Sequence, residues 1–138
     1  MARILRAPAA QVEVGRRYHA PVYSDAFLDH FQHPRGLGDL PGATHRGVAD
    51  DGACGDRLWL DLHLVEGRVA AAMYRVEGCA GAIAVGSALV TLLPDRPADP
   101  DAVTRAELEA ALGGVPGAKR HALGLAIRAF RAALETRA

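Results

Sequence analysis

A single domain of mixed helix and strand is what this sequence predicts, and three observations carry the prediction. Leu58, Leu60, Leu62 and Leu64 alternate with Trp59, Asp61 and His63; residues 80–93 form an apolar stretch closed by Pro94; and Leu123, Ile127, Phe130 and Leu134 recur at helical spacing. The chain has 138 residues, half of them hydrophobic, which is enough for one real core without help from a metal or disulfide. Sixteen basic and sixteen acidic side chains cancel, so composition gives no general attraction to nucleic acid or to an anionic membrane, and neither partner is expected. The longest apolar run is shorter than the roughly 20 residues a membrane span needs. With no secretory pattern at the N-terminus, a cytoplasmic setting is expected, and the two cysteines are read as thiols rather than as a disulfide.

Taken in order, residues 1–22 mix Ala, Pro and Arg without periodicity and are expected to form a flexible N-terminal arm. Ser24 can cap a short helix with Phe27, Leu28 and Phe31 on one face, ended by Pro34. A glycine- and proline-rich loop follows, and His45 to Ala49 read as a first strand. The alternation from Leu58 is a half-buried strand, Glu66-Gly67 a tight turn, and Val69 to Val76 its antiparallel return. This hairpin puts Cys54, just before the outgoing strand, and Cys79, just after the returning one, at the same end. The two thiols should be neighbours, each set among small residues.

Residues 81–93 read as a buried helix, so Cys79 falls at its N-terminus, where unsatisfied N–H groups favour an anionic sulfur. Thr104 and Glu107 make a capping box for a short helix carrying Leu108 and Leu112. The last helix, about residues 118–134, has His121 in its first turn. Lys119 is the only lysine among sixteen basic residues, an exception that hints at a place for a compact ammonium. A lone Cys79 would be an ordinary packing residue and a lone Asp56 an ordinary turn residue; pairing Cys79 with Cys54 is what suggests a site.

The ordered set Tyr23, Asp29-His30, Pro34-Arg35-Gly36, Gly52-Ala53-Cys54-Gly55-Asp56, Gly78-Cys79-Ala80-Gly81-Ala82 and Lys119-Arg120-His121 resembles the IscU/NifU-like iron–sulfur cluster scaffold family, over residues 23–138. The resemblance implies an α+β fold, a three-stranded antiparallel sheet with helices packed on one face, and a site at its tip that holds zinc or assembles a [2Fe–2S] cluster. It implies a scaffold or carrier rather than an enzyme, served by a cysteine desulfurase and passing its cargo to apo iron–sulfur proteins, with persulfide acceptance within its range. Carried over by position, it makes Cys54, Asp56, Cys79 and His121 metal ligands and Lys119 a supporting basic residue.

Two departures stand out. The family's third cysteine, directly after the histidine, is Ala122 here, and Val115-Pro116-Gly117-Ala118-Lys119 differs from the Leu-Pro-Pro-Val-Lys segment of members served by a dedicated Hsp70-type chaperone. The second departure argues against that chaperone as a partner. The first keeps two readings open, a scaffold with an atypical ligand set and a zinc-binding paralogue that modulates a desulfurase, since two thiolates, a histidine and a carboxylate suit a tetrahedral Zn²⁺ as well as cluster iron. A Cys79–His121 thiol enzyme is the weakest reading, because nothing in the sequence offers a substrate pocket.

Overall fold

The structure, a computed structural model, describes residues 22–52 and 55–138. The expected arm over 1–22 lies outside the described residues apart from Val22, and so does Cys54. Three strands form one antiparallel sheet in the order β1 (His45–Asp51), β2 (Asp56–Val65), β3 (Arg68–Glu77). Helix α1 (Asp25–Gln32) precedes them, and α2 (Ala80–Leu92), α3 (Arg105–Ala111), a 3-10 turn at Gly117–Lys119 and α4 (His121–Glu135) follow. One helix, then the three strands in succession, then the remaining helices is the expected α+β arrangement.

The β2–β3 hairpin closes through Glu66 and Gly67, both at positive φ (52° and 75°), the backbone a two-residue turn needs to match strand twist. Leu58, Leu60 and Leu62 are fully buried against the helices, as their alternation requires. An irregularity between His63 and Leu64 breaks the phase, so Leu64 is only partly buried. Helix α4 lies across β1 and β2 and buries Leu123, Phe130 and their neighbours; α2 lies on β3, and α1 docks on α2. Contact at two glycines is very close: a Cβ at Gly47 would stand 2.2 Å from the Ala133 nitrogen, and one at Gly86 would stand 2.3 Å from the Tyr74 ring. Tyr74 spans the core to donate its hydroxyl to the Ile83 carbonyl at 2.7 Å, and burial pushes its phenol well above the usual range.

Both sheet edges are covered. The Gly36–Gly38 segment pairs with β3 at Tyr74, and the Thr136–Ala138 tail pairs with β1 through Arg46 and Thr44. No helix among the described residues is long and apolar enough to cross a membrane.

Three local expectations change. Phe31 is exposed, because α1 enters the core only through Phe27. Asp61 shares the outer sheet face with Trp59 yet is only 2% exposed, because the 38–44 loop folds over it; the Leu40 N–H donates to Asp61 Oδ2 at 3.1 Å, and Arg46 Nε lies 3.4 Å from Oδ1. The capping box is half made: Thr104 Oγ accepts the Glu107 N–H at 3.1 Å, but the Glu107 carboxylate pairs with Arg96 instead of returning to the cap. The Arg96 guanidinium bonded to it holds the Glu107 carboxyl below the usual range.

Candidate metal centre

The β2–β3 hairpin ends at Asp56 on one strand and Glu77 on the other, and three segments meet there: the turn between β1 and β2, the entry to α2, and the entry to α4. Each supplies one functional side chain. Asp56 is the first residue of β2 and is 3% exposed. Cys79 is the N-cap of α2, in extended conformation, and makes no side-chain capping bond. His121 opens α4, directly after the 3-10 turn that carries Lys119.

Their ligating atoms all lie within 4.8 Å of one another. His121 Nε2 is 3.0 Å from Asp56 Oδ2, Cys79 Sγ is 3.4 Å from the same oxygen, and Sγ to Nε2 is 3.9 Å. Zinc–ligand bonds of about 2.0–2.3 Å would put tetrahedral ligand atoms roughly 3.3–3.6 Å apart. The observed separations differ from that by a few tenths of an ångström, so a sulfur, a nitrogen and an oxygen stand where one ion can touch all three. The donor set fits zinc or cluster iron.

The backbone holds this arrangement. Asp56 Oδ1 accepts the Cys79 N–H at 3.2 Å, tying the α2 entry to β2, while Oδ2 stays turned toward the sulfur and the imidazole. Gly78 makes the approach possible: a Cβ there would fall 2.5 Å from Asp56 Oδ1. Lys119 lies over the start of α2, where a Cβ at Gly81 would be 3.0 Å from Lys119 Cβ and 3.5 Å from Cys79 Sγ. Ala122 is fully buried beside His121 and contributes only packing.

Of the sequence-predicted ligands, Asp56, Cys79 and His121 come together, Lys119 borders them, and Cys54 lies outside the described residues. Asp51 lies beside this group without belonging to it. Its carboxylate Oδ2 is 4.0 Å from His121 Nε2, and it stands opposite Asp56 in the β1–β2 register.

A second group of polar residues lies elsewhere, between α1 and α2. Ser87, fully buried, accepts the Arg35 backbone N–H at 2.9 Å and lies 2.7 Å from His30 Nδ1. Arg35 reaches Asp29 at 2.6 Å. Burial and the nearby Arg35 charge hold the His30 imidazole below its ordinary value, against a smaller opposite pull from Asp29.

Comparison with known proteins identifies relatives of the chain. The NifU-like N-terminal domain family matches residues 22–137. The chain is 32% identical over 114 residues to the iron–sulfur cluster assembly scaffold protein IscU 1 of Archaeoglobus fulgidus, covering 82% of this chain and 74% of that one. It is 43% identical over 108 residues to the nitrogen fixation protein NifU of Cereibacter sphaeroides, covering 78% of this chain and 44% of the relative. Among solved structures, the N-terminal part of a NifU-like protein from Brucella abortus superposes with a TM-score of 0.65 at 15% identity, over 82% of this chain and 90% of that one. At such identity the likeness concerns the fold.

Proposed function

The chain belongs to the NifU-like N-terminal domain family, and from that premise we propose that it is a scaffold that binds iron or a [2Fe–2S] cluster and passes it to apo-proteins. The observation that carries this reading is the convergence of Asp56, Cys79 and His121 on one point at the hairpin end. Cys54, between Asp51 and Asp56 in the sequence, is the further ligand, and Lys119 is the supporting cation beside Cys79. The protein's own work in this reading is holding and releasing. Asp56 fixes the Cys79 backbone and keeps its second oxygen toward the cargo; the thiols lose their protons on binding, so loading releases acid and strengthens as pH rises. The cargo itself carries the redox chemistry.

A cysteine desulfurase is the proposed sulfur source and apo iron–sulfur proteins the recipients, in a cytoplasmic setting. The family match and the relatives named as scaffold proteins favour a carrier over an enzyme. Anaerobic incubation with ferric iron and sulfide is expected to give visible sulfur-to-iron absorption that is absent from Cys79→Ala and Cys54→Ala variants. A protein that stays colourless, or variants that colour equally, would overturn the reading.

One observation favours a second reading. With Ala122 where the resembled pattern has a third thiol, an oxygen and a nitrogen stand beside Cys79, a donor set that zinc accepts readily. On this reading the protein keeps zinc and acts by binding a desulfurase. Near-stoichiometric zinc in protein as purified, resistant to exchange with iron, is its expected signature; metal-free protein counts against it.

A further inference from the structure

On the exposed side of α4, two arginines come together with no acid to answer them. Gly124 lies one turn beyond His121, on the same side of the helix, and brings no side chain of its own. Over it stand Arg105, the first residue of α3, and Arg128, one turn further along α4. A Cβ at Gly124 would lie 3.0 Å from Arg105 Nη1 and 3.3 Å from Arg128 Nη1, so both guanidinium tips border the same small notch.

Each guanidinium is held there by a backbone carbonyl. Arg105 Nη2 donates to the Arg120 carbonyl at 3.2 Å, and Arg128 Nη2 donates to the Asp50 carbonyl at 3.1 Å. Those bonds orient the two groups but leave their charge unneutralised and further N–H donors free to bind. The carboxylates of the surrounding elements are engaged elsewhere: Glu109 pairs with Arg120, Asp50 with Arg57 and Asp101 with Arg131. Among the described residues, no ion pair reaches Arg105 or Arg128.

Two like charges held close together repel, and an anion seated between them removes the repulsion. A guanidinium matches a carboxylate in geometry as well as in charge. The notch lies on the outside of a helix, too open to enclose a small free anion as a pocket would. A carboxylate presented on a protein surface brings neighbouring contacts with it and shields the pair from water. The chain's sixteen basic and sixteen acidic side chains cancel, so the patch is a local feature and not the by-product of a basic protein.

We infer that the notch between Arg105 and Arg128 is a docking point for an acidic segment of a partner protein, with aspartate or glutamate carboxylates seated between the two guanidinium groups. It uses none of the metal-centre residues, so the inference goes beyond the scaffold reading and is tested separately from it. Its place one turn from His121 sets the docked segment beside the metal centre.

The test uses the full chain in low-salt buffer, with a fluorescent hexaglutamate peptide as the probe and anisotropy as the readout. Arg105→Gln and Arg128→Gln are each expected to weaken binding about threefold, and the double variant about tenfold. Gly124→Leu keeps every charge but fills the notch, and should weaken binding as much as the double variant does. Its melting temperature should not fall, since leucine favours a helix more than glycine. Arg68→Gln removes the same charge at the start of β3, by the Glu66-Gly67 turn, and should bind as wild type does. Wild type that does not bind the peptide overturns the inference, as does unchanged binding in Gly124→Leu. A loss in Arg68→Gln as large as that in Arg105→Gln also overturns it, because net charge alone then governs binding. So does a wild type that takes inorganic phosphate at the notch and not the peptide, since the site is then one for small anions. Each of these results leaves the metal-centre reading standing, and a colourless protein in the iron and sulfide incubation leaves the notch standing.

Discussion

The protein contains two clusters built from nearly the same parts, and their difference is instructive. Between α1 and α2, Asp29, His30, Arg35 and Ser87 join a carboxylate, an imidazole and a hydroxyl; at the hairpin end, Asp56, His121 and Cys79 join a carboxylate, an imidazole and a thiol. In the first cluster donors and acceptors match. Arg35 satisfies Asp29, its backbone N–H satisfies Ser87, and two donors face His30 Nδ1, with Arg35 Nη1 at 3.4 Å. In the second, the Cys79 thiol donates to Asp56 Oδ2 and His121 Nε2 lies 3.0 Å from the same oxygen, so three groups that can each coordinate metal once deprotonated face one another around a common point. A closed polar network holds helices together; convergent Lewis bases leave room for a cation. The presence of a histidine, an acid and a nucleophile does not distinguish the two, but the direction of their atoms does.

The largest expected effect breaks the second cluster alone. Asp56→Ala removes the oxygen nearest both sulfur and imidazole and should lower Zn²⁺ affinity by about 100-fold or more, measured by chelator competition. Its metal-free fold should persist, since the change removes one backbone-anchoring hydrogen bond, to the Cys79 N–H, and leaves the apolar core intact. Next, Ser87→Ala should cost about 1–3 kcal/mol in urea denaturation, because it leaves the Arg35 N–H and His30 Nδ1 without their buried partner. Zn²⁺ binding should not change, and a fall in affinity would show the two clusters to be coupled.

A smaller effect concerns pH. The His30 imidazole has a folded value below its ordinary 6.5, so the unfolded chain takes up the proton first as pH falls. Its contribution to stability is complete above about pH 6.5 and is lost progressively below it. The metal-free stability of wild type should therefore decline below that pH more steeply than that of a His30→Gln variant. Parallel curves would mean that His30 titrates alike in both states. The smallest effect is Asp29→Asn, which removes an exposed pair with Arg35 and should change stability by no more than about 1 kcal/mol.

Much of the fold was legible because its signals are local. The Leu58–Leu60–Leu62 alternation, the Glu66-Gly67 turn, the apolar 80–92 helix and the α4 stripe each depend on residues within a few positions of one another. What the alternation could not show was the loop that buries Asp61, since the covering Leu40 lies in another part of the chain. Phe31 failed for a similar reason: helical spacing identifies a face but not which of its residues the rest of the fold covers. At the site, the resemblance supplied Asp56, Cys79, His121 and Lys119, and the structure brings the first three within reach of one ion.

The sequence by itself determined the elements, the family likeness carried by its glycine-framed cysteines, and the vacancy at Ala122. Periodicity, caps, turns and motifs are properties of neighbouring residues, so they survive without coordinates. Tertiary structure decided which polar groups converge. The contact at Gly78 let Asp56 reach the Cys79 backbone, and the entry of α4 brought His121 to both. Convergence depends on distances between segments far apart in the chain, and only the folded packing of sheet against helices fixes those distances.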